Sequence, residues 1–190
     1  MRRALHSASQ RLGHAIGFAV GLTLLVWLGF GMQQLTGLTP GIVPRTWQGL
    51  IPLPFIFLFH ANGQHLLVNS VALVPLATLF ALRMQRWTQA CALTLVLSIS
   101  GGLIVWLIGS PGVHLGASLL VFAYLGFLLG GFHATGQHFG TLLWRLLLAG
   151  LALYLFWPLL PQLLVMEDGV SWSAHAGGAL AGLLWGIRRN

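Results

Sequence analysis

Lysine is absent from the 190 residues, acidic side chains number two, Glu167 and Asp168, and cysteine occurs once, at Cys91. With 6% of residues charged and 57% hydrophobic, the chain cannot cover a soluble domain, whose composition runs to roughly a quarter charged. A single cysteine closes no disulfide framework and builds no cysteine-based metal site. Neither acid falls inside a long apolar run. That excludes an intramembrane aspartyl protease, which needs two embedded aspartates, and a zinc peptidase of the His-Glu-x-x-His type. It also disfavours carboxylate proton relays. The nine basic residues are all arginine and scatter in ones and twos between apolar runs, with no basic stripe, so no nucleic-acid partner is expected.

Apolar runs are abundant, and about 20 residues suffice to cross a bilayer core. They fall at 15–33, 62–82, 89–109, 116–132, 142–163 and 170–187. The expected architecture is all-α: a polytopic membrane protein with six transmembrane helices, an N-terminal cytoplasmic segment 1–14 and a tail 188–190. Met1-Arg2-Arg3 resembles the start of a signal peptide, but no small-residue cleavage site follows the first apolar run, which is read as a retained span. The stretch 52–59, short and broken by Pro52 and Pro54, suits a segment lying in or dipping into the interface. With a cytoplasmic N-terminus, eight of the nine arginines fall at cytoplasmic helix ends and only Arg45 lies outside. Both acids then sit in the outer loop before the last helix. A lysine-free, arginine-rich composition suggests a GC-rich bacterial genome and hence an inner membrane.

Three spans carry polar groups at one depth. At 1.5 Å per residue, Asn69 lies about 21 Å above Arg83, Ser118 about 22 Å above His133 and His175 about 20 Å above Arg188. In a core about 30 Å thick, that level is roughly 10 Å below the outer surface. Gly178, Gly182 and Gly186 repeat every four residues on the face of His175, and Ser118, Phe122, Gly126 and Gly130 repeat likewise, so the two faces can pack closely. A serine hydroxyl needs a base to take its proton, and His175 is at the matching depth. With no carboxylate at hand, the pair would be a dyad. Asn69 and His65, one turn apart, could donate to an oxyanion beside the Ser118 amide.

These residues resemble the signature of the rhomboid family of intramembrane serine proteases: His60-Ala-Asn-Gly-Gln-His65-Leu-Leu-Val-Asn69, then Gly116-Ala117-Ser118, then Ala174-His175-Ala-Gly-Gly178-Ala-Leu-Ala-Gly182. The resemblance extends over roughly residues 45 to 187 and implies a six-helix bundle that cleaves transmembrane protein substrates in the bilayer, without metal or organic cofactor. It implies Ser118 as nucleophile, His175 as base, and His65, Asn69 and the Ser118 amide as oxyanion hole. His60, Phe122, Gly116, Gly178 and Gly182 would be supporting positions. Arg45-Thr-Trp47 would belong to the first outer loop. The resemblance leaves substrate, pathway and oligomeric state open.

Two positions depart from the family pattern. Leu119 stands where many active members have glycine after the serine, and so bulky a side chain is expected to narrow the site. Phe122 stands where a tyrosine commonly stacks on the imidazole; the ring is kept and the hydroxyl's hydrogen bond lost. Tyr124 projects about 160° away and cannot replace it. The departures motivate a second reading, a proteolytically inactive relative that binds or chaperones transmembrane segments. In a third reading the histidines ligate a metal or haem, although His60 and His65 lie about 140° apart around a helix, poor for joint ligation. The plainer reading of His60, His65 and Asn69 is interhelical hydrogen bonding. His114 is assigned no role beyond hydrogen bonding in its loop, and His6, His14, His133 and His138 are expected to face solvent.

Overall fold

The computed structural model describes residues 2–133, 138–163 and 171–189. Glu167 and Asp168, expected in an outer loop, and Val170, expected to open the last helix, lie outside the described residues. Six α-helices follow one another: α1 Arg2–Thr36, α2 Gly63–Leu82, α3 Trp87–Ile108, α4 Ser118–Leu129, α5 Phe139–Phe156 and α6 Trp172–Arg188. α1 begins well before the first apolar run, because the arginine, alanine, leucine and glutamine of its leader favour helix and its one glycine, Gly13, costs about 1 kcal/mol. Its 35 residues measure about 52 Å, so only the apolar part fits a hydrocarbon core of about 30 Å.

α2 starts where Asn62 caps it, the side-chain oxygen accepting from the His65 amide at 2.8 Å. After α5 the chain tightens into a 3-10 helix over Trp157–Leu163, where Pro158 and Pro161 cannot supply the amides of a continuing α-helix. Among the described residues, four stretches are long and apolar enough to cross a membrane: Ala8–Thr36, Gly63–Leu82, Trp87–Ile108 and Phe139–Leu163. Leu28, Val71, Leu107 and Leu147 are exposed along them, as lipid-facing side chains are. The chain is a multi-pass membrane protein with an all-α bundle.

α4 is the centre of the bundle and too short to cross it. Its 12 residues rise about 18 Å. Every one from Ser118 to Leu128 is buried. The preceding loop 109–117 therefore descends into the protein before α4 begins. Irregular backbone at membrane depth persists only where protein buries it or a wet cavity borders it, and protein buries His114, Gly116 and Ala117 of this loop.

The glycines of α6 set how α4 sits. A Cβ on Gly178 would run into the carbonyl of Leu119, one on Gly182 into that of Ala123, and one on Gly186 into that of Phe127. Both series climb in steps of four, so α4 and α6 run parallel with their backbones in contact. On α4, Gly126 likewise admits the Ala179 carbonyl. The segment between α1 and α2 makes two 3-10 turns, Gln48–Leu50 and Ile56–Leu58, and Arg45 anchors it by donating to the carbonyls of Leu107 at 3.2 Å and Gly109 at 3.0 Å, at the end of α3.

Candidate active site

Between α2, α4 and α6 lies a cavity of about 660 Å³ whose wall includes His65, Asn69, Ser118, Phe122, Gln162 and His175. Val68 and Ala72 of α2, Leu159 and Pro161, beyond α5, and His114 and Ser171 are also part of its wall. Another cavity, of about 570 Å³, is walled by Thr39, Val43, Ile51, Phe55 and their neighbours and carries no titratable side chain. Polar chemistry belongs to the first.

The α4 to α6 register brings Ser118 and His175 to this cavity together. Gly178 meets Leu119; one residue back on α4 is Ser118, and three back on α6, within its first turn, is His175. Both are buried, at 8% and 5% exposure. As the first residue of α4, Ser118 also contributes a first-turn amide that has no partner within the helix.

Gln162 settles the tautomer of His175. The ring Nδ1 lies 3.2 Å from the Gln162 carbonyl oxygen, and a carbonyl only accepts, so Nδ1 carries the proton and Nε2 is left as acceptor. Phe122 stacks on the ring with centroids 4.3 Å apart and planes 25° from parallel. The phenyl ring thus keeps the imidazole's orientation without a hydroxyl. Tyr124, on the far side of α4, stacks on Phe80 at 4.3 Å and bonds Thr94 at 2.8 Å.

Asn69 and His65 border the loop before α4 at Gly116. That glycine has φ of +127°, and a Cβ there would come 2.8 Å from His65 Cε1 and 3.5 Å from Asn69 Nδ2, so both conformation and crowding demand glycine. Asn69 is 6% exposed, and its Nδ2 is a buried donor with no hydrogen-bond partner. Buried donors are nearly always satisfied, so an orphan at a cavity wall signals a group awaiting an acceptor.

His60 does different work. It lies in the loop before α2, fully buried, and its Nε2 accepts from the Ala117 amide at 3.2 Å. Burial first, and then neighbouring His65, hold its pKa down at about 4, so it is neutral at physiological pH, as an accepting Nε2 requires. Gln33 of α1 clamps the His60 backbone, donating to its carbonyl at 2.8 Å and accepting from its amide at 3.0 Å. The order Gln33, His60, Ala117 thus ties α1 to the residue before Ser118. Among the described residues no three His, Cys, Asp or Glu side chains cluster as a metal site would require.

Leu119 corrects the expectation that it narrows the site. It is 1% exposed and is not part of the cavity wall. A Cβ on Gly101 would lie 3.2 Å from its Cδ2, so the leucine points toward α3, into space left by a glycine there. Three contributors escaped sequence reasoning. The Gln162 carbonyl left no trace, being a backbone group; Gln33 read only as the end of an apolar run. Ser171, which lines the cavity and caps α6 by accepting from the Ala174 amide, had a signal, a serine just before a helix as in any N-cap.

Residues 46–189 match the family model described as rhomboid domain. Uncharacterized proteins of Mycobacterium tuberculosis and Mycobacterium bovis are each 35% identical over 180 residues, covering 87% of this chain and 70% of theirs. An uncharacterized protein of Mycobacterium leprae is 33% identical over 140 residues, covering 70% of this chain and 53% of its own.

Proposed function

The chain belongs to the rhomboid family, and on that premise we propose that it is an intramembrane serine endopeptidase that cleaves transmembrane segments with a Ser118–His175 dyad. The observation that carries the proposal is the convergence on one cavity of a buried serine, a histidine held with its Nε2 free to accept, and the unsatisfied amide donor of Asn69. His175 takes the Ser118 proton as Oγ attacks the scissile carbonyl, then returns it to the leaving amine. The oxyanion is received by Asn69 Nδ2, His65 and the Ser118 amide at the positive end of α4. A second cycle with water in place of the amine releases the acyl group. Substrate segments reach Ser118 between Val68 and Ala72 of α2 and Leu159 and Pro161 beyond α5, where the cavity borders the bilayer. In life the termini are cytoplasmic, the site opens toward the outer face, and the bilayer is a bacterial inner membrane.

The purified protein is expected to react with a fluorophosphonate, with the adduct found by mass spectrometry on the peptide containing Ser118. No adduct, or one on another residue, overturns the assignment. The inactive-relative reading loses its chief motive, since Leu119 lies outside the cavity. Leu119→Gly is therefore expected to bring no gain in cleavage. By emptying a packed position it should lower stability by about 2–5 kcal/mol, read as thermal unfolding in detergent. A rise in cleavage with this variant would restore the idea of an obstructed site.

A further inference from the structure

We propose that His114 is a positioning residue that ties the loop delivering Ser118 to the start of the helix carrying His175; the proposal rests on the protease reading above. His114 lies four residues before Ser118 and is 6% exposed. Both ring nitrogens are engaged: Nε2 is 2.9 Å from the Ser110 carbonyl and Nδ1 is 2.6 Å from the Ser171 hydroxyl. Since the carbonyl can only accept, Nε2 carries the proton and Nδ1 accepts from the Ser171 O–H. The ring thus bonds its own loop on one side and the start of α6 on the other, and its use is to hold.

What it holds is the cap of α6. Ser171 Oγ accepts from the Ala174 amide at 3.2 Å, and the Ser171 carbonyl accepts from the His175 amide at 3.2 Å. His175 sits in the first turn, the part of a helix with the fewest internal bonds and the readiest to fray. Anchoring Ser171 thus steadies the base itself. The backbone of His114 is pinned as well, exchanging hydrogen bonds with Ile42 at 2.8 and 2.9 Å. The backbone of His114 thus joins its loop to the segment after α1, and its imidazole joins the same loop to the base helix. With Nδ1 lost, the Ser171 hydroxyl has no acceptor from this loop, and the first turn of α6 can shift against α4.

The test uses the full chain with His114→Phe, His114→Asn and His114→Gln, and two readouts: the rate of fluorophosphonate labelling at Ser118, and hydrogen exchange of the Ala174 and His175 amides. His114→Phe should slow labelling about tenfold and speed that exchange about tenfold, the scale of one buried hydrogen bond. His114→Asn puts an amide oxygen where Nδ1 accepted and should restore both to within about threefold of the original protein; His114→Gln, which keeps only the donor toward Ser110, should not. Unchanged exchange in His114→Phe, or rescue by Gln and not by Asn, overturns the proposal. Should the Phe variant fail to fold, Asn against Gln makes the same decision. If the original protein does not label, the nucleophile assignment fails, while exchange in the same variants still decides whether His114 holds α6.

Discussion

Alanine in place of His175 is expected to lower the rate of substrate cleavage, and of fluorophosphonate labelling at Ser118, by about 10²–10⁴, the range general acid–base catalysis spans. The serine hydroxyl is inert until a base takes its proton, and no carboxylate lies in any apolar run to do so in its stead. The Nδ1 contact to the Gln162 carbonyl and the stacked Phe122 ring orient Nε2 before substrate arrives, and the variant discards that preorganisation. The fold should suffer little, because among the described residues the imidazole's hydrogen bond is to Gln162 at a long 3.2 Å. Circular dichroism and thermal unfolding close to the original, together with lost cleavage, are the expected pair. A variant that still labels at the original rate would remove His175 from the mechanism.

Asn69→Leu is expected to separate activity from stability. Loss of one oxyanion donor typically costs about 10²–10³ in turnover. The loss should fall on kcat rather than KM, since the donor acts on charge that develops only in the transition state. Stability should move the other way or hold. The Nδ2 is buried without a partner, a condition that costs about 1–3 kcal/mol, and leucine, of the same branched shape, removes it. Cleavage kinetics beside thermal unfolding decide the matter. If unfolding shifts downward in step with activity, Asn69 is an interhelical tie, the plainer role open to it, and the oxyanion assignment is wrong.

Much of the bundle was legible because a bilayer imposes a length and an apolarity that few sequences meet by chance. Runs at 62–82 and 89–109 correspond to α2 and α3 within two residues. Ends were less legible. α1 runs on into its polar leader because helix propensity there meets no breaker, and the apolar run at 116–132 comprises a short α4 followed by a 3-10 turn over Gly130–His133. The four-residue spacing of glycines announced close packing of α4 and α6. It could not say which carbonyl each glycine would meet, and that register brings Ser118 and His175 to one cavity.

Leu119 shows the other limit. From the chain alone, a large side chain beside Ser118 reads as an obstruction, because sequence reveals size without direction. Its direction depends on Gly101, eighteen residues away on another helix. The tautomer of His175 rests in the same way on a carbonyl from the turn after α5, and the holding of Ser171 on the imidazole of His114. Local pattern determined what this protein is, a helical membrane protein, and led to the expectation of a serine, a histidine and an amide at one depth, since hydrophobic length and helical rise are properties of the chain itself. Tertiary structure alone decided which nitrogen can accept, which donor lacks a partner and where the leucine turns. Each of these depends on a neighbour distant in sequence, and packing is what chooses the neighbour.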